Sequence, residues 1–155
     1  MQSIVIGLGN PILGDDGIGC RVAEEVEKRF DSRKNGDSVN ITPFYRGGIA
    51  LMELLVDYDR AIIIDSIQGM GVPLGTVKRL TIDDIPTMTA DSPHDISLKG
   101  ALTMGEALGV KLPSEIIIIG IESIYQIDFS EEFSPAIAES LEPAVELVLN
   151  ELLEN

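Results

Sequence analysis

Residues 4–19 read IVIGLGNPILGDDGIG, and this stretch decides the kind of fold the chain adopts. Three aliphatic residues, 4–6, form a continuous apolar run that ends at a glycine, as in a strand buried on both faces. From residue 15 the pattern changes. Apolar residues then recur at every fourth position from Ile18 to Phe30 with charged residues between them, which predicts an amphipathic helix. A buried strand, a glycine-rich turn and a helix are the opening unit of an α/β fold.

The alternation of strand and helix continues along the chain. Further strands are predicted at residues 39–45, 61–64, 75–81 and 116–121, further helices at 49–56, 97–108 and 135–153, and a loop at 83–95. Pro43 favours an edge position for the second strand, and the strand at 75–81 is also expected at an edge. Because no repeat or linker divides the sequence, residues 1–155 are expected to form a single domain. The predicted fold class is α/β, a three-layer α/β/α sandwich with a largely parallel sheet flanked by helices.

Charge and composition exclude several classes of protein. The 155 residues include 11 basic and 26 acidic side chains, and a net charge of −15 repels nucleic acids and anionic membrane surfaces. The single cysteine excludes an intrachain disulfide and a cysteine-based metal site. The longest aliphatic run, residues 116–119, is too short to cross a bilayer, and the N-terminus lacks the pattern of a signal peptide. We therefore expect a cytoplasmic protein with no nucleic-acid or membrane partner.

The first loop does not match the known phosphate-binding patterns. A dinucleotide fingerprint needs a third glycine where this chain has Ile12. A P-loop needs a lysine and a hydroxyl where this chain has Asp15 and Asp16, and two anions there would repel a triphosphate. The segment GLGNP also resembles the opening of the peptidyl-tRNA hydrolases, but the similarity ends there and the net charge is unfavourable for tRNA binding.

The two adjacent carboxylates therefore need another explanation. Asp15 is predicted to cap the following helix and Asp16 to complement its dipole, effects of about 0.3–1 kcal/mol each. Asp16 also lies at the carboxyl end of the first strand, where α/β folds form their ligand crevice. Asp65 ends a buried strand at the same edge, although a turn-forming role explains it equally well. His94, the only histidine, precedes a helix at that edge, where a surface or capping role is the alternative.

Together, Asp16, Asp65 and His94 form a candidate site for a divalent metal ion. Two carboxylates and an imidazole suit zinc, nickel, iron or manganese. Three protein ligands leave positions open for water or substrate, which is the pattern of a catalytic site. No G-x-S-x-G motif is present, and Cys20 is predicted to be a packed thiol rather than a nucleophile.

The pattern as a whole resembles one family, the nickel-iron hydrogenase maturation endopeptidases. The resemblance rests on motifs that follow the family's order over nearly the whole chain: GLGNPILGDDGIG, the double glycine with MELL behind it, IIIDSI, SPHDISL, IIIIGIE and SPAIAESLEPAVE. It implies a five-stranded sheet. It also implies an endopeptidase that removes the C-terminal extension of a nickel-loaded hydrogenase large-subunit precursor.

The family's metal ligands fall on Asp16, Asp65 and His94, which the resemblance also makes the catalytic residues. The cofactor it implies is Ni2+ supplied by the substrate, with other divalent metals able to substitute, and the enzyme is expected to act as a monomer. One alternative is a non-proteolytic, nickel-sensing assembly chaperone, which would bind the same precursor and leave its mass unchanged. A second alternative, a peptidyl-tRNA hydrolase, requires salt-dependent binding to RNA.

Overall fold

The structure is a computed structural model that describes residues 1–36, 38–45, 48–85, 93–124 and 129–154, with the backbone alone for residues 32, 35 and 93–97. The strands are β1 (Gln2–Leu8), β2 (Ser38–Phe44), β3 (Arg60–Ile67), β4 (Val77–Leu80) and β5 (Glu115–Glu122). The helices are α1 (Ile18–Arg29), α2 (Ser32–Asn35), α3 (Gly48–Leu55), α4 (Pro93–Leu108) and α5 (Pro135–Leu153). None of the helices in the described part of the chain is long and apolar enough to span a membrane.

One five-stranded sheet has the strand order β2-β1-β3-β5-β4. All neighbouring strands are parallel except β4, which pairs antiparallel with β5. Parallel neighbours require crossover connections, so the connecting helices run back across the sheet and begin at the carboxyl edge of the strands. The prediction of a largely parallel sheet is confirmed, as are the edge positions of β2 and β4.

The core has two halves, one on each face of the sheet. Helices α1 and α5 cover one face, where they pack on side chains such as Ile62 and Ile64. Helices α3 and α4 cover the other face, where they pack on Ile63 and its neighbours. The central strand β3 is buried at all of its residues because both faces are covered. The predicted three-layer α/β/α sandwich is therefore confirmed.

An ionic cluster centred on the buried pair Arg60 and Glu151 lies at the amino edge of the sheet. Arg60, the first residue of β3, donates from Nη2 to Glu151 Oε2 over 2.9 Å and from Nη1 to the Glu151 carbonyl over 2.8 Å. Its Nε lies 3.2 Å from Glu115 Oε2, and Arg79 donates to the second oxygen of Glu151. These contacts hold the end of α5 against the sheet. The candidate site therefore has to be sought at the opposite, carboxyl edge.

Candidate active site

Glycines in the first loop allow backbone segments to approach one another closely. A Cβ atom on Gly19, in the first turn of α1, would lie 2.5 Å from the carbonyl oxygens of both Ile64 and Leu8. Gly9 has a φ of +147°, and a Cβ atom there would lie 2.0 Å from the Asp16 carbonyl oxygen. At these two positions the neighbouring backbone leaves no room for a side chain, which explains the glycines of this loop.

The prediction that Asp15 caps α1 is wrong. Asp15 lies in a short 3-10 turn, Gly14–Gly17, and α1 has Gly17 as its N-cap without a side-chain hydrogen bond. The buried carboxylate of Asp15 instead accepts hydrogen bonds from Ser134 N over 2.7 Å and Ser134 Oγ over 2.8 Å. Ser134 is the N-cap of α5. Asp15 therefore connects the first loop to the start of the last helix.

Asp16 is held by two donors from different parts of the chain. The backbone amide of Asn10 donates to Oδ2 over 2.8 Å, and the hydroxyl of Ser66 donates to Oδ1 over 3.2 Å. Ser66 belongs to β3 and directly follows Asp65. The Asp16 carboxylate is therefore fixed in orientation and attached to the strand that carries the second candidate residue.

Asp65 lies inside β3 rather than at its end. The sequence predicts that the strand stops at residue 64, but pairing with β5 continues through Asp65 opposite Gly120 to Ile67 opposite Glu122. Asp65 is only 2% exposed. Side chains alternate along a strand, so Asp65 faces the same side as Ile63, towards α3 and α4, whereas Ser66 faces α1. The two carboxylates thus reach the carboxyl edge of β3 from opposite faces of the sheet.

His94 lies in the first turn of α4, not in the predicted loop. The helix begins at Pro93, four residues before the predicted start, with proline at the first helical position. The backbone thus places His94 at the start of the helix that precedes β5, and its position beside Asp16 and Asp65 stays a prediction. The His94 side chain is outside the described residues. Among the side chains that the structure does describe, no group of three or more His, Cys, Asp or Glu residues is arranged to hold a metal ion.

The thiol of Cys20 lies beneath the first loop, where its Sγ donates to the carbonyl oxygens of Gly7 and Gly9 over 3.3 Å each. Burial raises the pKa of Cys20 to about 11, and the negative charges of Asp16 and Asp65 act in the same direction. Both carboxylates are therefore near enough to influence the same thiol. The prediction that Cys20 is a packed thiol is confirmed.

Comparisons with known proteins identify the family. A family model described as hydrogenase maturation protease matches residues 20–151. The hydrogenase 2 maturation protease of Escherichia coli is 31% identical over an alignment that covers 100% of this chain and 93% of the relative. The chain belongs to the hydrogenase maturation protease family. This membership supports a hydrolase of the peptidase type.

Solved structures of hydrogenase maturation proteases have the same fold. The hydrogenase maturating endopeptidase HybD from Escherichia coli superimposes with a TM-score of 0.83 at 27% identity, over 99% of this chain and 93% of that one. A hydrogenase 2 maturation peptidase from a Thaumarchaeota archaeon has a TM-score of 0.70 at 30% identity, over 99% and 100% of the two chains. The five-stranded sheet implied by the resemblance is confirmed.

Sequence reasoning missed the residues that hold the two adjacent aspartates of this hydrogenase maturation protease. Ser66 could have been found, because strand alternation places it on the face opposite Asp65 and towards α1. Ser134 is 119 positions from Asp15, and no local pattern connects them. Glu122 was missed as well. Its carboxylate accepts hydrogen bonds from the amides of Gly69 and Met70 over 3.2 Å each, which holds the loop after β3 in place.

Proposed function

We propose that this chain removes the C-terminal extension of a nickel-loaded hydrogenase large-subunit precursor. The observation that carries the proposal is the hydrogen bond between Asp16 and Ser66, which attaches the first loop to β3 beside Asp65. The names of the relatives, which include hydrogenase maturation proteases and endopeptidases, support the reaction class. The nickel is part of the substrate in this proposal, and Asp16, Asp65 and His94 bind it.

The donor set has the chemistry that such an ion needs. Carboxylate oxygen and imidazole nitrogen are ligands for divalent ions of the first transition series. A carboxylate offers about four acceptor positions, and the Asp16 carboxylate accepts hydrogen bonds from Asn10 and Ser66. These two bonds also fix the carboxylate in one orientation, which reduces the entropy lost when a ligand binds.

For the hydrolytic step we propose that Asp16 or Asp65 acts as general base. The carboxylate takes a proton from water as the water oxygen attacks the carbonyl carbon of the peptide bond. The carbon–nitrogen bond then breaks, and the proton passes to the departing amine. A precursor without nickel lacks the cation that these carboxylates bind, so it would not be cut.

The test uses purified precursor with and without nickel, incubated with the chain and followed by intact mass. We expect the nickel-loaded precursor alone to lose the mass of its extension. Asp16→Asn, Asp65→Asn and His94→Gln should each reduce the rate at least about 100-fold. Glu53→Gln removes an exposed carboxylate from α3 and serves as the matched control. Binding of the nickel-loaded precursor without any loss of mass would favour an assembly chaperone and contradict the proposal.

The proposal also includes a monomer that works in the cytoplasm. A net charge of −15 opposes association with polyanions and with further copies of the same chain. Sedimentation of the purified chain alone measures the oligomeric state, and fractionation of cells measures the compartment. A membrane-bound fraction or a stable dimer would contradict this part.

A further inference from the structure

The large apolar side chains that the structure leaves exposed are concentrated at the carboxyl edge of the sheet. Three of those described, Met1, Leu108 and Leu153, lie at the chain ends or at the end of α4. The others lie in loops that follow strands or at the start of α3: Ile12, Tyr45, Ile49, Leu74, Ile124 and Phe129. Clustered exposed apolar residues mark surfaces that bind another molecule. The edge that carries the candidate active site therefore also carries six of the exposed large apolar side chains of the described chain.

Two of these residues are held side by side. Leu13 forms a parallel bridge with Ser130, so Ile12 and Phe129 are neighbours in the same register. Ser130 N donates to the Ile12 carbonyl over 2.8 Å, and Gly14 N donates to the Ser130 carbonyl over 2.6 Å. Ile12 is 47% exposed and Phe129 is 80% exposed. We call this pair the apolar ridge.

A cavity of about 380 Å³ opens beside the apolar ridge. Its lining includes Pro11, Ile12, Cys20 and Phe133, together with the charged side chains of Arg21, Glu24 and Glu131. The apolar lining favours an apolar side chain. Arg21 is paired with Glu25, so the exposed carboxylates of Glu24 and Glu131 leave the cavity with a negative charge that repels an acidic neighbour. The cavity is therefore suited to an apolar segment that carries no negative charge.

The apolar ridge is joined to the candidate active site by short segments of chain. Asn10, which donates to Asp16, is separated from Ile12 by a single residue. On the other side, Asp15 holds Ser134 through two hydrogen bonds, which anchors the segment that carries Phe129. A molecule bound on the ridge therefore contacts the same loop that carries Asp16.

We propose that the apolar ridge and its cavity dock an apolar, non-acidic segment of the precursor large subunit while the active site acts on its extension. This inference rests on the proposed function, because it takes the same precursor as partner. The ridge supplies affinity and alignment, and the carboxylates supply the chemistry. Removing the ridge should therefore weaken binding of the precursor without slowing the step that follows binding.

The test compares the double variant Ile12→Ser/Phe129→Ser with the matched control Leu108→Ser. Leu108 is 64% exposed at the end of α4, away from the carboxyl edge. For the nickel-loaded precursor we expect the double variant to raise KM at least about tenfold with kcat within about twofold of wild type. The control should match wild type in both constants. Urea denaturation of all three chains verifies that each is folded.

Direct binding to immobilised precursor separates this inference from the proposed function. If wild type cuts the precursor and the double variant has unchanged KM and affinity, the ridge is not a docking surface although the protease assignment stands. If wild type binds without cutting and the double variant binds at least about tenfold more weakly, the ridge is supported while the protease assignment fails. Self-association of wild type that the double variant loses would instead make the ridge a contact between copies and overturn the inference.

Discussion

Substitutions at the two adjacent aspartates of the first loop should have different effects. A change at Asp15 should lower stability, and a change at Asp16 should lower activity. Asp15 is buried and accepts two hydrogen bonds from Ser134 at the start of α5. A hydrogen bond to a charged group contributes about 1.5–3 kcal/mol, and water can reach the half-buried Ser134 once the carboxylate is gone. We therefore take the lower end for each bond. Asp15→Ala should lower the free energy of unfolding by about 3 kcal/mol.

Ser134→Ala removes only the hydroxyl bond and should cost about 1.5 kcal/mol, half the effect of Asp15→Ala. For a chain of this length, a loss of about 3 kcal/mol corresponds to a fall in Tm of about 6–12 °C. Urea denaturation of the two single variants and the double variant forms a cycle that isolates the contact. The double variant should be no less stable than Asp15→Ala.

Asp16→Asn should have the opposite profile. The asparagine oxygen can still accept from Asn10, and the Ser66 hydroxyl can rotate to accept from the new amide, so the loss of stability should stay under about 1 kcal/mol. Processing of the nickel-loaded precursor should nevertheless fall at least about 100-fold. Asp15→Ala, assayed well below its Tm, should keep most of its activity. The reasoning is refuted if Asp15→Ala is as stable as wild type, or if Asp16→Asn unfolds more easily than Asp15→Ala.

Four further predictions concern packing and charge. Gly19→Ala places a methyl group 2.5 Å from two backbone carbonyl oxygens. It should lower the free energy of unfolding, measured in urea, by about 1–3 kcal/mol. An unchanged free energy would contradict the close approach of these carbonyls to α1. Burial raises the pKa of Cys20 from 9.0 to about 11. Iodoacetamide at pH 8 should therefore react with this thiol about 100-fold more slowly in the folded chain than in the unfolded chain. For the same reason the free energy of unfolding should decline as pH rises from 9 to 11. Equal rates in the folded and unfolded chains would disprove burial of the thiol. Glu151→Ala leaves the buried Arg60 charge without its main partner and should cost about 3–5 kcal/mol in urea, whereas a loss below 1 kcal/mol would indicate that the cluster is well hydrated. Hydrogen bonds from Arg21 and Lys28 lower the pKa of Glu25 from 4.5 to about 2. The contribution of Glu25 to stability is therefore complete above pH 4.5 and declines towards pH 2. Glu25→Gln should flatten that part of a plot of unfolding free energy against pH.

The sequence was sufficient to predict the architecture because hydrophobic periodicity reports local burial. The continuous aliphatic runs became buried strands, and Pro43 correctly indicated an edge strand. Element boundaries were less predictable. Strand β3 continues through Asp65 because β5 supplies hydrogen-bonding partners as far as Glu122, and that pairing depends on a segment far along the chain.

The start of α4 was misplaced for a different reason. A loop was predicted as far as residue 95, but Pro93 fits the first turn of a helix because its missing amide hydrogen is not needed there. The same argument correctly predicted Pro135 as the start of α5. For the site, the sequence indicated Asp16 as a crevice residue, whereas the partners that hold it and Asp15 were beyond any local pattern. That Asp16, Asp65 and His94 meet on one metal ion stays a prediction.

The link between the first loop and the start of α5 has a consequence for synthesis on the ribosome. The loop with both aspartates emerges early, yet the serine that fixes it is separated from Asp15 by 119 positions. Until that serine leaves the exit tunnel, the loop lacks the two hydrogen bonds that anchor Asp15. A nascent chain therefore carries the first loop without this anchor until at least the first 134 residues have been made.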